Sequence, residues 1–190
     1  TPSLPKHWSP IAGRARIGML TPSSNTVLEP VIAAMRDMLI PQTTVLTPNS
    51  HEARRLALFE SDEDDLDLAA CARHLTDLGC EYVLITGTHE NTPRVLNTLY
   101  DTSGAIQTDA WDRLPGSYHG SGCTLASAIA ACIAGGASVE DAVRDAQDYT
   151  WQTLANGFRP GMGQFIPDRF FWARGGDNEP SAQEVDDGTR

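Results

Sequence analysis

A glycine-rich turn that runs directly into a small-residue helix constrains this chain more than any other stretch. Tyr118-His119-Gly120-Ser121-Gly122-Cys123-Thr124 leads into the run CTLASAIAACIAGG, whose alanines predict a helix closed by Gly135 and Gly136. The first N–H groups of such a helix have no intrahelical partner, and the helix dipole favours negative charge at that end. Gly120 and Gly122 let the backbone approach a ligand with no Cβ in the way, so the turn is a candidate anion site suited to a phosphoryl group. Cys123 stands where a thiolate is favoured, as a base toward an attacking hydroxyl or as a nucleophile. A tight turn beside a buried structural thiol accounts for the same seven residues equally well, because short glycine motifs recur by chance.

Composition narrows the partners. The chain has 190 residues, 41% hydrophobic and 21% charged, which suits one globular domain with a substantial core. Its formal charge of −11 opposes nucleic acid or an anionic membrane as partner. Any phosphate must therefore be held locally, by backbone N–H groups or a bound cation. No apolar run approaches the length of a membrane span. Cys71, Cys80, Cys123 and Cys132 have no C-x-x-C spacing and no apolar leader precedes them, so the expectation is reduced thiols in a cytoplasmic protein, without a cysteine metal site.

Taken in order, Thr1 to Gly13 read as an extended arm with three prolines. Arg16 to Thr21 predict a short buried strand, and Pro22 to Thr26 a polar turn before a helix over roughly Val31 to Leu39. Thr43 to Thr47 read as a second strand, and Pro48-Asn49 leads into a helix beginning at His51. Asn49 and Glu52 have capping-box spacing, in which the Glu reaches back to the cap N–H. The same carboxylate, at a parallel strand's carboxyl end, would also serve a magnesium-bound water near a nucleotide. Spacing alone favours the cap.

Glu60 to Asp67 is an acidic, solvated loop. Leu66, Leu68, Ala69, Ala72, Leu75 and Leu78 mark one face of a helix ended by Gly79, with Cys71 and Cys80 near the core. Glu81 to Thr86 form a strongly apolar strand running into Gly87-Thr88-His89, where an α/β sheet meets its ligands. His89 reads either as a hydrogen-bonded spacer or as a base. Val95 to Tyr100 and Ala105 to Trp111 predict an antiparallel hairpin. Ser138 with Asp141 caps a last helix that reaches Asn156-Gly157, and Phe158 to Trp172 form an aromatic closing segment.

Two resemblances add to this reading. RIGMLTPSSNTVLEPV, residues 16–31, resembles the opening strand and substrate-carboxylate loop of the aspartate/glutamate racemase and maleate isomerase superfamily. It implies a carboxylate held near Ser23-Ser24-Asn25, although the cysteine motifs that do the work in that superfamily are absent. A strand followed by a capped helix explains the stretch as well.

From about Arg36 to Trp172, the ordered motifs LIPQTTVLTPNSHEARRL, YVLITGTH, NTLYD, GSYHGSGCTLASAIAA and GMGQFIPDRFFW closely resemble the C-terminal half of the hydroxymethylpyrimidine/phosphomethylpyrimidine kinases of thiamine biosynthesis, within the ribokinase-like superfamily. The resemblance implies a ribokinase-like three-layer α/β/α fold and MgATP-dependent phosphorylation of 4-amino-5-hydroxymethyl-2-methylpyrimidine, then of its monophosphate. It places Gly120, Ser121 and Gly122 in the anion hole, Cys123 as the catalytic residue, and Thr86, Gly87, His89 and Asn49 beside the nucleotide. Glu52 then serves magnesium through water, which reverses the preference for a bare cap.

The same resemblance implies a further N-terminal half, in whose place residues 1–35 look unrelated. The expected organisation is an arm with a racemase-like segment (1–35), a kinase-like half-domain (36–173) and a disordered tail (174–190). The fold is expected to be truncated, with an exposed parallel edge that invites homo-oligomers. A catalytically impaired fragment that binds nucleotide or a partner is the alternative function, and a racemase or isomerase built on the Ser23-Ser24-Asn25 loop ranks last.

Overall fold

The computed structural model describes residues 17–18, 32–57 and 67–174. The tail expected beyond Arg174, the expected N-terminal arm, the Ser23-Ser24-Asn25 loop and residues 60–66 of the acidic run lie outside the described residues.

Five strands form one sheet in the order β1 (Ile17–Gly18), β2 (Val45–Leu46), β3 (Tyr82–Thr86), β4 (Arg94–Asp101) and β5 (Gly104–Asp112). The first three run parallel, with Ile17 opposite Val45 and Val45 opposite Tyr82. β4 pairs antiparallel to β3, and β5 antiparallel to β4, as the hairpin reading anticipates. β1 comes from the stretch that resembles a racemase, yet it belongs to the same sheet as the rest.

Among the described residues, α-helices cover both faces: α1 (Ser50–Ala57), α2 (Leu68–Asp77), α3 (Ser121–Ala134) and α4 (Val139–Ala155). The period of two along β3 assigns the faces. Val83 and Ile85 join Leu46 and Tyr100 against Ala53 and Leu56 of α1 and Cys71, Ala72 and Leu75 of α2. Leu84 points the other way and joins Val45 and Leu99 against Leu125 and Ile129 of α3 and Val143 and Ala146 of α4. The result is the three-layer α/β/α architecture. Leu84, Leu99 and Ile129 are fully buried, and each contributes on the order of 1.5–3 kcal/mol.

The predicted helix before β2 is wound more loosely than an α-helix. Met35–Leu39 is a π-helical turn, closed by the Ile40 N–H on the Met35 carbonyl, and a 3-10 turn, Ile40–Gln42, follows. Pro41 has no N–H to continue the α-helical ladder. All four cysteines are free thiols, and burial pushes Cys80 up to about 12.

Candidate active site

The predicted residues fall into two groups along one end of the sheet. β5 runs parallel to β3 because both are antiparallel to β4, so the carboxyl ends of β2, β3 and β5 share an edge. Asn49, Glu52, Thr86, Gly87 and His89 follow β2 and β3 there. Gly120, Ser121, Gly122 and Cys123 form the cap and first turn of α3, which follows β5 after an eight-residue connector. No hydrogen bond or ion pair joins the two groups among the described residues.

In the first group, the Thr86 N–H donates to the Pro48 carbonyl at 2.9 Å and Asn49 bridges Thr86 in parallel, so the two strand ends are fused. The capping box forms in full: the Asn49 N–H donates to Glu52 Oε2 and the Glu52 N–H to Asn49 Oδ1, both at 2.9 Å. This leaves Glu52 Oε1 buried with no hydrogen-bond partner among the described residues. Burial, the largest influence, raises the Glu52 carboxyl above its usual range, against the lowering effect of Asn49. One carboxylate oxygen therefore caps the helix, and the magnesium reading concerns the other.

Gly87 is buried, and its N–H donates to Asn97 Oδ1 at 3.1 Å. A Cβ there would stand 2.3 Å from the Leu96 carbonyl oxygen, so glycine is required by close backbone approach. His89 is exposed, with its ring centroid 5.1 Å from that of His51. Its pKa is lowered, first by partial burial and then by His51. Beside it, Arg54 grips Glu90 through two hydrogen bonds of 2.8 and 3.3 Å, which hold that carboxyl at about 2.

The second group is built by α3. Gly120 caps the helix at φ +87°, a left-handed conformation that L side chains rarely adopt. The Thr124 N–H returns to the Gly120 carbonyl at 3.0 Å, and helix geometry leaves the N–H groups of Ser121, Gly122 and Cys123 directed outward. Nothing described lies within 4 Å of where a Cβ on Gly122 would stand, so that side of the turn is open. Cys123 is half-buried in the same first turn.

Arginines that the sequence reading did not single out tie these parts together. Arg113, just after β5, donates to the carbonyls of Thr88, Thr92 and Glu90 at 2.8, 2.8 and 2.5 Å, which fastens the loop carrying His89 to the connector leading into α3. Arg169 lies at the opening of α3, where its Nε donates to Thr124 Oγ1 at 3.1 Å. The closing motif GMGQFIPDRFFW contains Arg169, but only the fold brings it to a residue 45 positions away. No cluster of three His, Cys, Asp or Glu suited to a metal occurs among the described residues, so a cation here would depend on Glu52 together with ligand oxygens and water.

The phosphomethylpyrimidine kinase family matches residues 18–168, a start ahead of Arg36 that takes in part of β1. A hydroxymethylpyrimidine/phosphomethylpyrimidine kinase of Synechococcus elongatus is 40% identical over 136 residues, 70% of this chain and 51% of its own length. A pyridoxine kinase of Bacillus subtilis is 33% identical over 147 residues, 74% of this chain and 52% of its own length. Among solved structures, pyridoxal kinase of Bacillus subtilis, crystallised as an ADP complex, superposes with a TM-score of 0.72 at 27% identity, over 83% of this chain and 60% of that one. The chain spans about half the length of the curated relatives it matches. With an α/β/α sandwich, a glycine-capped helix start and a match over most of its residues, this chain belongs to the phosphomethylpyrimidine kinase family.

Proposed function

We propose that this chain contributes the nucleotide side of an ATP-dependent kinase that phosphorylates 4-amino-5-hydroxymethyl-2-methylpyrimidine and its monophosphate. The observation that carries the reading is the open first turn of α3, with left-handed Gly120, unobstructed Gly122 and half-buried Cys123, at the sheet end where Glu52 stands. In the first transfer the substrate hydroxyl oxygen attacks the γ-phosphorus, the bond to the bridging oxygen breaks, and ADP leaves with its electron pair. The hydroxyl proton passes to Cys123 Sγ, the base in this reading. The N–H groups of Ser121, Gly122 and Cys123 meet the charge that builds on the transferred group. Thr86, Gly87, His89 and Asn49 flank the nucleotide.

Glu52 Oε1, buried and unpartnered among the described residues, fits a magnesium-bound water, and the cation would supply charge neutralisation for the phosphates. Four free thiols suit a reducing, cytoplasmic setting. Among the described residues no helix is long and apolar enough to cross a membrane. The pyridoxine kinase relative supports a second substrate, pyridoxine, whose hydroxymethyl group offers the same nucleophile.

ADP release from MgATP, measured separately with the hydroxymethylpyrimidine, its monophosphate and pyridoxine, tests both readings. Release stimulated by either pyrimidine supports the first, and stimulation by pyridoxine alone the second. Nucleotide-dependent protection against heating with no ADP formed would indicate a catalytically impaired, nucleotide-binding fragment.

A further inference from the structure

We propose that Arg169 is the side-chain cation of the anion site at the start of α3, holding an oxygen of the transferred phosphate. The inference deepens the phosphoryl-transfer reading and rests on it for the identity of the ligand. A chain of net charge −11 must hold a polyphosphate through local donors, and a side-chain cation would add to the backbone N–H groups. Among the described residues, Arg169 is the cation whose guanidinium lies against the Gly120 turn. Its Nη2 stands 3.2 Å from where a Cβ on Gly120 would be, so the absent side chain is what makes room for it.

The position of this exposed side chain is set by buried groups. The Asp168 N–H donates to the Thr153 carbonyl at 2.8 Å, and the Tyr149 hydroxyl to the Arg169 carbonyl at 3.0 Å, so α4 fixes the backbone on both sides of the Arg169 Cα. Asp168 and Thr153 are buried. The Arg169 Nε donates to the buried Thr124 hydroxyl, which in turn donates to the Gly120 carbonyl at 2.8 Å. That relay orients the guanidinium toward the turn. One of its five donors is used in this tether, and Nη1 and Nη2 make no hydrogen bond to any described residue. A fork with unmatched donors beside outward-directed backbone N–H groups matches the tetrahedral oxygens of a phosphoryl group.

The test is calorimetric titration of the full chain with inorganic tripolyphosphate, beside ADP release from MgATP with the hydroxymethylpyrimidine. Arg169→Met should weaken tripolyphosphate binding at least tenfold, while its melting temperature stays close to that of the parent. Arg169→Lys should recover part of the loss, because charge returns without the planar fork. Arg144→Met, which removes an equal charge from the outer surface of α4, should bind as the parent does. Equal affinity of Arg169→Met and the parent would overturn the inference, as would an absence of binding by the parent at millimolar tripolyphosphate. Anion binding that depends on Arg169 without ADP release would leave the inference standing and remove the kinase reading. Substrate-dependent release unchanged in Arg169→Met would do the reverse.

Discussion

Glu90 illustrates how single groups set the strand-end loop. Its carboxylate takes both terminal nitrogens of Arg54, whose side chain is 6% exposed, while Glu90 itself is 31% exposed. The Arg54 hydrogen bonds are the main reason its pKa stands at about 2 instead of the ordinary 4.5. A carboxyl with a depressed folded pKa contributes stability that is fully present above the unfolded value and lost as pH falls through the folded one. Glu90→Gln should therefore cost about 2 kcal/mol at pH 7, a figure already reduced for the pair's contact with solvent. The gap between variant and parent in thermal melts should narrow as pH drops below 4.5 toward about 2. A gap that stayed constant from neutral to acid pH would contradict this assignment.

At the scale of elements, local chemistry was legible and long-range polar contacts were not. The start of α3 could be read because a glycine cap and an alanine-rich run announce themselves within a few residues. The Asn49–Glu52 box could be read from its spacing, and the β4–β5 hairpin from two apolar runs around Asp101–Gly104. Arg169 was not legible, because an arginine in a closing segment carries no local sign of packing near Thr124. Gln147 escaped for a related reason, since periodicity treats a glutamine inside a helix as part of its solvent face.

In the fold Gln147 is only 3% exposed and links three elements. Its Oε1 accepts from Asn97 Nδ2 at 2.8 Å and from Trp111 Nε1 at 3.0 Å, while its Nε2 donates to Asp109 at 2.8 Å. Asn97 in turn holds the Gly87 N–H, so α4 supports the strand end through one chain of hydrogen bonds. Gln147→Leu keeps the volume but strands these donors, and should cost roughly 2–4 kcal/mol in urea unfolding. A loss below about 0.5 kcal/mol would mean the network is dispensable.

For the whole molecule, the sheet's edges decide behaviour in solution. β1 pairs with β2 on one side and has no partner strand on the other among the described residues, a parallel edge of the kind that can pair with a second chain. Concentration-dependent self-association is therefore expected in sedimentation velocity, and a monomer at every concentration would contradict it. Individual strands and amphipathic helices could be read from patterning, whereas the three-layer arrangement was implied by the kinase resemblance and the strand order emerged only in the fold.

The central claim is that phosphoryl transfer occurs at the α3 turn with Cys123 as the base. ADP release from MgATP and the hydroxymethylpyrimidine, by the parent and by Cys123→Ala, tests it most directly. The account predicts substrate-dependent release by the parent and its loss in a variant that melts at the same temperature. Undiminished release by Cys123→Ala, or none from folded parent protein, would contradict it.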